Sequence, residues 1–163
     1  MSFIDLGWDA STKLFRLPIL IAINIASPTG SGMARKFAKA IFYLDTGSGI
    51  SSLTDEKASE LGIDYNSLPT EQIAGIGGFT QGHILTNVEF IVLIGNDTKT
   101  VTLPKINVIP SEISKKVEVR QGVYKKRGTS SGKMMCLLGL DYLEAIRGEV
   151  CLNFVNKKGT IKF

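Results

Sequence analysis

The sequence predicts an all-β protein, a closed β barrel or sandwich with one or two short helices. Several short apolar segments are typical of strands, and the segments between them are rich in turn residues. The 17 glycines among 163 residues show no collagen-like period, which favours a turn-rich β protein. A chain of this length fits one domain that buries about 70% of its unfolded surface and needs no disulfide or metal for stability.

The N-terminal third supplies the first strands. Residues 1–14 are mixed and unpatterned, and we predict an N-terminal arm outside the core of a single domain at 15–163. Apolar runs predict strands over Arg16–Ala26 and Phe37–Leu44, separated by a turn-rich segment.

A short helix follows, with Thr54 as its N-cap and Gly62 as its terminator. Glycines spread through the strand-like segment Glu71–Phe90 predict a mobile hairpin. The remaining elements are strands at Val88–Ile94 and Thr98–Val108, a short helix at Asp141–Arg147, and a closing hairpin of Glu149–Val155 with Gly159–Phe163.

Residues 111–133 carry all of the excess positive charge. They contain seven Lys or Arg and two Glu, for a net charge of +5, whereas the rest of the chain holds 12 basic and 13 acidic residues. We predict a solvated insertion with one short strand at Val117–Val119 and a mobile stretch from Lys125 to Lys133, dispensable for folding. Its charge favours acidic substrates or partners, and nucleic-acid binding is not expected because no aromatic stacking platform accompanies the lysines.

Several classes of chemistry find little support. Cys136 and Cys151 lie in apolar sequence and are predicted to be two reduced core thiols. A single His83, in a strand-like run, is predicted to be an ordinary strand or turn histidine rather than a metal ligand or a catalytic base. The apolar run Leu17–Ala26 is too short to span a bilayer, so we expect no membrane association. We expect a cytoplasmic location.

The segment with the clearest chemistry is Asp45-Thr46-Gly47, which directly follows the apolar residues Phe42-Tyr43-Leu44. The pattern places a carboxylate at the rim of the core. The Thr46 hydroxyl can lock the turn, and Gly47 lets a backbone amide approach the carboxylate. Such a carboxylate could activate a water as a general base. The alternative is a turn residue that merely ends a strand.

Two further segments extend this pattern. Ile73–Gly82 (IAGIGGFTQG) is a glycine-tipped hairpin, and Met134–Leu143 (MMCLLGLDYL) places glycine after an apolar run and before a helix. In this order, the three segments resemble the retropepsin-like aspartic proteases, particularly their cellular, DNA-damage-inducible branch. The resemblance covers Phe15–Phe163 apart from the segment Ser111–Lys133, and it implies a closed barrel of the acid-protease type that forms a symmetric dimer.

The resemblance also implies roles for individual residues. Asp45 would be the catalytic acid, and Ser48 would offer its hydroxyl to the outer oxygen of that carboxylate. Active-site support would come from Thr46, Gly47, Ser48, Leu138 and Gly139, and the flap over the substrate from Ile76, Gly77, Gly78 and Phe79. The chain departs from the retroviral pattern at Gly49 and Leu140, where both halves of an ion pair are missing, so other contacts would hold the dimer.

The chain carries a single Asp-Thr-Gly, because Asp97 and Asp141 have different neighbours. Aspartic-protease chemistry needs two carboxylates that share one proton. The expected function is therefore an aspartic endopeptidase that cleaves extended peptides as a homodimer, with no cofactor and no metal. The alternative is a catalytically silent module of the same fold that binds peptide or dimerises.

Overall fold

A computed structural model describes residues 2–26, 30, 32–75, 78–121 and 124–163. Residues 74, 75, 78–80, 113–121 and 124–131 are described by their backbone alone. The strands are β1 (Phe3–Asp9), β2 (Leu14–Ala26), β3 (Met33–Leu44), β4 (Ser52–Thr54), β5 (Thr70–Gly75), β6 (Gly78–Ile94), β7 (Asp97–Ile109), β8 (Glu112–Gln121), β9 (Tyr124–Lys133), β10 (Cys136–Leu138), β11 (Glu149–Asn153) and β12 (Lys158–Lys162). The helices are α1 (Asp55–Glu60), α2 (Leu140–Ile146) and a 3₁₀ turn at Tyr65–Ser67.

Ten strands form one sheet in the order β11-β12-β1-β2-β3-β10-β4-β7-β6-β5, and β6 pairs in addition with β2. Most neighbours are antiparallel, but β10 runs parallel to β3, and β4 runs parallel to β7. The predicted all-β class with short helices is confirmed. The pairings β2-β3-β10-β4-β7-β6 return to β2, so the sheet curves around its own apolar side chains.

The core lies on the inner face of this curved sheet. Every second residue of β2 points inward, which buries Leu17, Ile19 and Ile21. On β3 the buried Phe42 packs against Phe90 of β6, with ring centroids 5.0 Å apart. The buried side of α2 closes this core.

The two helices begin and end close to the predicted positions. Thr54 is the N-cap of α1, although its hydroxyl lies 3.8 Å from Cys136 Sγ instead of capping the helix. Gly62 follows the helix with a φ of +79°, in the left-handed region that favours glycine.

The prediction that residues 1–14 form an arm outside the core is wrong for β1. This strand pairs with β12 along Phe3–Leu6 and with β2 along Gly7–Asp9. Ile4 and Leu6 are buried in the core. The physical reason is a period-two alternation of two buried residues, Ile4 and Leu6, with the exposed Phe3 and Asp5. It is too short to stand out from the sequence but sufficient once two strands flank it.

The prediction that the insertion at 111–133 holds one short strand followed by a mobile stretch at Lys125–Lys133 is also wrong. The backbone forms an antiparallel hairpin in which β8 pairs with β9 from Glu112↔Lys133 to Gln121↔Tyr124. Lys125–Lys133 is thus a strand, even though its Gly, Ser and Lys residues have poor strand propensity. Pairing with the β-branched residues of β8 outweighs that local preference. The hairpin is a two-stranded sheet separate from the main one.

The two cysteines differ in environment. Cys136 is buried, and burial raises the pKa of its thiol, whereas Cys151 on β11 is exposed. Both are free. The prediction of two core thiols is correct for Cys136 and wrong for Cys151, because β11 is an edge strand with one face in solvent.

Candidate active site

Asp45 lies directly after the last residue of β3, where β3 and β10 run side by side. Tyr43 is level with Leu137 in this parallel pair, and the backbone N–H of Asp45 donates to the Leu138 carbonyl at 3.0 Å. β10 is held on its other side by β4 at Ser52. The catalytic candidate is therefore attached to the middle of the sheet rather than to a loose loop.

The turn that follows brings backbone donors to Asp45. The Gly47 amide donates to Asp45 Oδ1 at 3.0 Å, and the Ser48 amide donates to the Asp45 carbonyl at 3.1 Å. A Cβ on Gly47 would lie 3.2 Å from Asp45 Oδ1, tighter than ordinary contact, so glycine gives the carboxylate room. The turn orients one carboxylate oxygen and leaves the other for a second partner.

The outer side of this turn is open. Asp45 is half-buried, whereas Thr46, Gly47 and Gly49 are exposed. The Ser48 hydroxyl donates to the Ile50 carbonyl at 2.7 Å. Since a hydroxyl has one proton to donate, Ser48 braces the loop here and is not the donor to the carboxylate that the resemblance implied.

Sequence reasoning assigned no role to Ser51 and Asp141, which link the loop after Asp45 to α2. The fully buried Ser51 donates its hydroxyl to Asp141 Oδ1 at 2.7 Å, and its amide donates to Asp141 Oδ2 at 2.9 Å. The Leu140 amide donates to the Ser48 carbonyl at 2.9 Å. The MMCLLGLDYL segment contained Asp141, but no local signal pointed to Ser51, 90 residues away in the chain.

Leu138 and Gly139 lie behind the loop. Leu138 is fully buried, and the Gly139 amide donates to Ser51 Oγ at 3.0 Å. A Cβ on Gly139 would come within 2.8 Å of the Ile50 carbonyl carbon and 2.9 Å of the Ser48 oxygen, both backbone atoms. Gly139 is needed because two backbone segments cross here without space for a side chain.

A polar cluster lies on the other side of β3. Tyr43 donates its hydroxyl to Asp9 Oδ2 at 2.7 Å, and Arg16 Nη1 lies 3.6 Å from the same oxygen. Two hydrogen bonds hold the pKa of Asp9 well below its ordinary value: the larger effect comes from the Ser11 hydroxyl and the next from the Tyr43 hydroxyl. The pKa of Tyr43 is raised, mainly by its hydrogen bond to Asp9 and to a smaller extent by burial. These contacts fix a side chain two residues before Asp45, and no local pattern predicted them.

The glycine-tipped segment forms the β5–β6 hairpin, whose pairing runs from Thr70↔His83 to Gly75↔Gly78. Gly78 and Phe79 lie on the β6 side of its tip. Ile76 and Gly77 fall outside the described residues. The body of the hairpin is anchored where the Ile84 amide donates to the Pro69 carbonyl at 2.8 Å.

The remaining chemical candidates stay apart from Asp45. His83 lies within β6, where its ring packs on Tyr65 with centroids 3.9 Å apart. In the described part of the chain, no three His, Cys, Asp or Glu side chains form a metal-binding group. Within the same residues, no helix is long and apolar enough to cross a membrane.

The fold is similar to the crystal structure of a retropepsin-like aspartic protease from Rickettsia conorii. The match covers 98% of this chain and 88% of that chain, with 18% sequence identity and a TM-score of 0.54. No family model and no curated protein sequence matches the chain. At this identity the likeness concerns the fold: the chain has the fold of a retropepsin-like aspartic protease.

Proposed function

We propose that this protein is an aspartic endopeptidase whose active site forms between two copies of the chain, each supplying Asp45. The observation that carries the proposal is the Asp45-Thr46-Gly47 turn. It is attached to β10 through Leu138 and exposed on its outer side, within a fold similar to that of a retropepsin-like aspartic protease. A carboxylate fixed from behind and open in front can meet its symmetry mate.

The chemistry follows from one proton shared by two carboxylates. The ionised Asp45 takes a proton from water as the oxygen attacks the peptide carbonyl, and the protonated Asp45 of the second copy donates to the carbonyl oxygen. The first Asp45 then donates the proton it took from water to the peptide nitrogen, and the second Asp45 takes a proton from a hydroxyl of the tetrahedral intermediate. The C–N bond breaks, a carboxyl product and an amine leave, and the singly protonated pair is restored. Asp45 Oδ1 is held by Gly47, so we assign Oδ2 to the water and the shared proton.

The open side of the turn supports a two-fold symmetric assembly. Thr46 and Gly49 are exposed there, and Gly49 cannot form the ion pair found in retroviral relatives, so the dimer relies on backbone and apolar contacts. We interpret the circuit of strand pairings as the closed barrel of the acid-protease type. The β5–β6 hairpin is then the flap over an extended peptide, with Gly78 and Phe79 on its β6 strand. The other flap residues that the resemblance implies, Ile76 and Gly77, lie outside the described residues.

The test is digestion of a peptide library by the wild-type protein and by Asp45→Asn, with the products mapped. The substitution keeps the size of the side chain but removes the titrating group, so we expect cleavage to fall by at least about a thousandfold. Asp97→Asn changes an exposed aspartate at the start of β7 and serves as the matched control, with unchanged cleavage. Equal cleavage by wild type and Asp45→Asn would contradict the proposal, and peptide binding without cleavage by either would favour the silent module.

A further inference from the structure

A groove of about 980 Å³ lies on the outer face of the sheet, away from the core. Its floor comes from residues that share one face of neighbouring strands, since Pro18 is level with Ile41, and Leu20 is level with Ile91. We call this surface the outer groove. Its volume is at the upper end of the range of about 300–1,000 Å³ that ligand pockets occupy.

The floor of the outer groove is apolar and in contact with solvent. Ile41 is 46% exposed and Leu93 is 74% exposed, and Met134 and Met135 line the groove half-buried. Isolated exposed apolar residues are common on proteins, but a contiguous set in a concavity marks an interaction surface. Methionine adapts its shape, so this floor can accept apolar side chains of different outline.

Charged side chains of both signs line the outer groove. Lys39 and Lys133 are exposed on its lining, and Lys57 there is paired with Glu60. Asp5 and Glu56 are the acidic residues of the lining.

Lys133 is also the last residue of the β8–β9 hairpin, and residues 111–133 carry a net charge of +5. The base of that hairpin is fixed at the groove, because the Ser111 amide donates to Asp55 Oδ1 at 2.8 Å and the Met134 amide donates to the Ser111 carbonyl at 2.8 Å. The hairpin whose sequence carries this net charge therefore starts at the edge of the groove, and at physiological salt a charge acts over about 8 Å.

The outer groove is also continuous with the proposed active site. Tyr43 lines it, and Tyr43 lies two residues before Asp45 on the same chain segment. The contact of Tyr43 with Asp9 keeps this end of the groove in place. The groove therefore extends along β3 to within two residues of Asp45 in the chain.

We propose that the outer groove binds an acidic, extended segment with apolar side chains, located in the substrate outside the cleaved sequence. Its apolar side chains would contact Ile41 and Leu93, and its carboxylates would face Lys39, Lys133 and the basic hairpin. Only the identification of this segment as part of a substrate rests on the proposed peptidase function. The recessed shape suits a single polypeptide segment better than a flat lipid surface.

The test uses the Asp45→Asn protein, so binding is measured without cleavage. The probe is a labelled peptide in which Glu and Leu alternate, and fluorescence anisotropy gives its Kd at low and physiological salt. We expect Leu93→Ser and Ile41→Ser each to weaken binding about tenfold. Lys39→Glu should weaken it to a similar extent at low salt and less at high salt.

The controls keep the chemistry of each substitution but move it elsewhere. Val155→Ser alters an apolar residue that is 90% exposed in the β11–β12 turn, and Lys157→Glu alters a lysine in the same turn. Both should leave the Kd unchanged. A peptide in which Lys replaces Glu should bind at least about tenfold more weakly.

Three results would overturn the proposal. The first is a Kd that Leu93→Ser and Ile41→Ser leave unchanged. This holds also if replacing Lys125, Lys126 and Arg127 by serine abolishes binding, because the peptide would then bind the hairpin and not the groove. The second is equal binding of the acidic and basic peptides. The third is that the protein does not bind the peptide but binds phosphatidylserine vesicles, and that Leu93→Ser weakens the vesicle binding. This result would assign the groove to a membrane. Failure of the wild-type protein to cleave any peptide would remove the peptidase function but leave this binding result standing.

Discussion

Ser51 connects three parts of the active-site region, and its removal should destabilise the protein measurably. Its hydroxyl donates to Asp141 Oδ1 at 2.7 Å and accepts from the Gly139 amide at 3.0 Å. Both contacts are lost in Ser51→Ala, whereas the backbone bond from the Ser51 amide to Asp141 Oδ2 is kept. The substitution creates little empty space, so the change in stability comes from the hydrogen bonds.

The magnitude follows from the type of each bond. A hydrogen bond to a charged group contributes about 1.5–3 kcal/mol, and a buried donor left without a partner costs about 1–3 kcal/mol. The two contributions together span about 2.5–6 kcal/mol, and because both bonds share one hydroxyl we expect a loss near the lower end, about 3 kcal/mol. For a chain of this length, that loss lowers the Tm by about 6–12 °C.

The assay is urea unfolding followed by circular dichroism, with Ser59→Ala as the matched control. Ser59 is exposed on α1, so its replacement should change the free energy of unfolding by less than about 0.5 kcal/mol. Asp141→Ala and the double variant complete a mutant cycle, in which the coupling energy should be about 1–3 kcal/mol. If Ser51→Ala is as stable as Ser59→Ala, the hydrogen bonds between the loop after Asp45 and α2 do not contribute to the free energy of unfolding.

Two further predictions concern tyrosines. Tyr142 is fully buried, and its hydroxyl has no hydrogen-bond partner among the described residues. Tyr142→Phe should therefore raise the free energy of unfolding by about 1 kcal/mol. A loss of stability in urea unfolding would show instead that the hydroxyl is hydrogen-bonded. Tyr43 has its pKa raised above the ordinary 10.0 by its bond to Asp9, so the folded state keeps the proton that the unfolded state releases. Stability from this group is present below pH 10.0 and is lost above it, so the wild type should lose more stability than Tyr43→Phe as the pH rises past that value. Parallel curves of unfolding midpoint against pH for the two proteins would contradict the assignment.

Much of the main sheet could be predicted because its signals are local. β2 and β3 contain long apolar runs, and α1 ends at a glycine whose positive φ the sequence anticipates. β1 and β9 were missed for the opposite reason. Each depends on pairing with a neighbouring strand, and neither the short alternation in β1 nor the glycine- and serine-rich β9 predicts a strand alone.

The site shows the same division between local and distant information. The sequence singles out Asp45 and Gly47, because a carboxylate and a glycine after an apolar strand form a local motif. The bracing of the loop depends on residues far apart in the chain: Ser51 reaches Asp141, and Tyr43 reaches Asp9. The hydroxyl of Ser48 turns to Ile50 because the loop closes on itself, a geometry that composition does not reveal.

The most direct test of the central claim is a subunit-mixing experiment. Wild-type protein is unfolded, refolded with increasing amounts of Asp45→Asn at constant total concentration, and assayed on a peptide that the wild type cleaves. If the two carboxylates of one site come from two copies of the chain, only dimers of two wild-type copies are active. Activity then falls as the square of the wild-type fraction, to about one quarter in an equal mixture. A linear fall, to about one half in that mixture, would show that each chain acts alone and would contradict a site shared between two Asp45 residues.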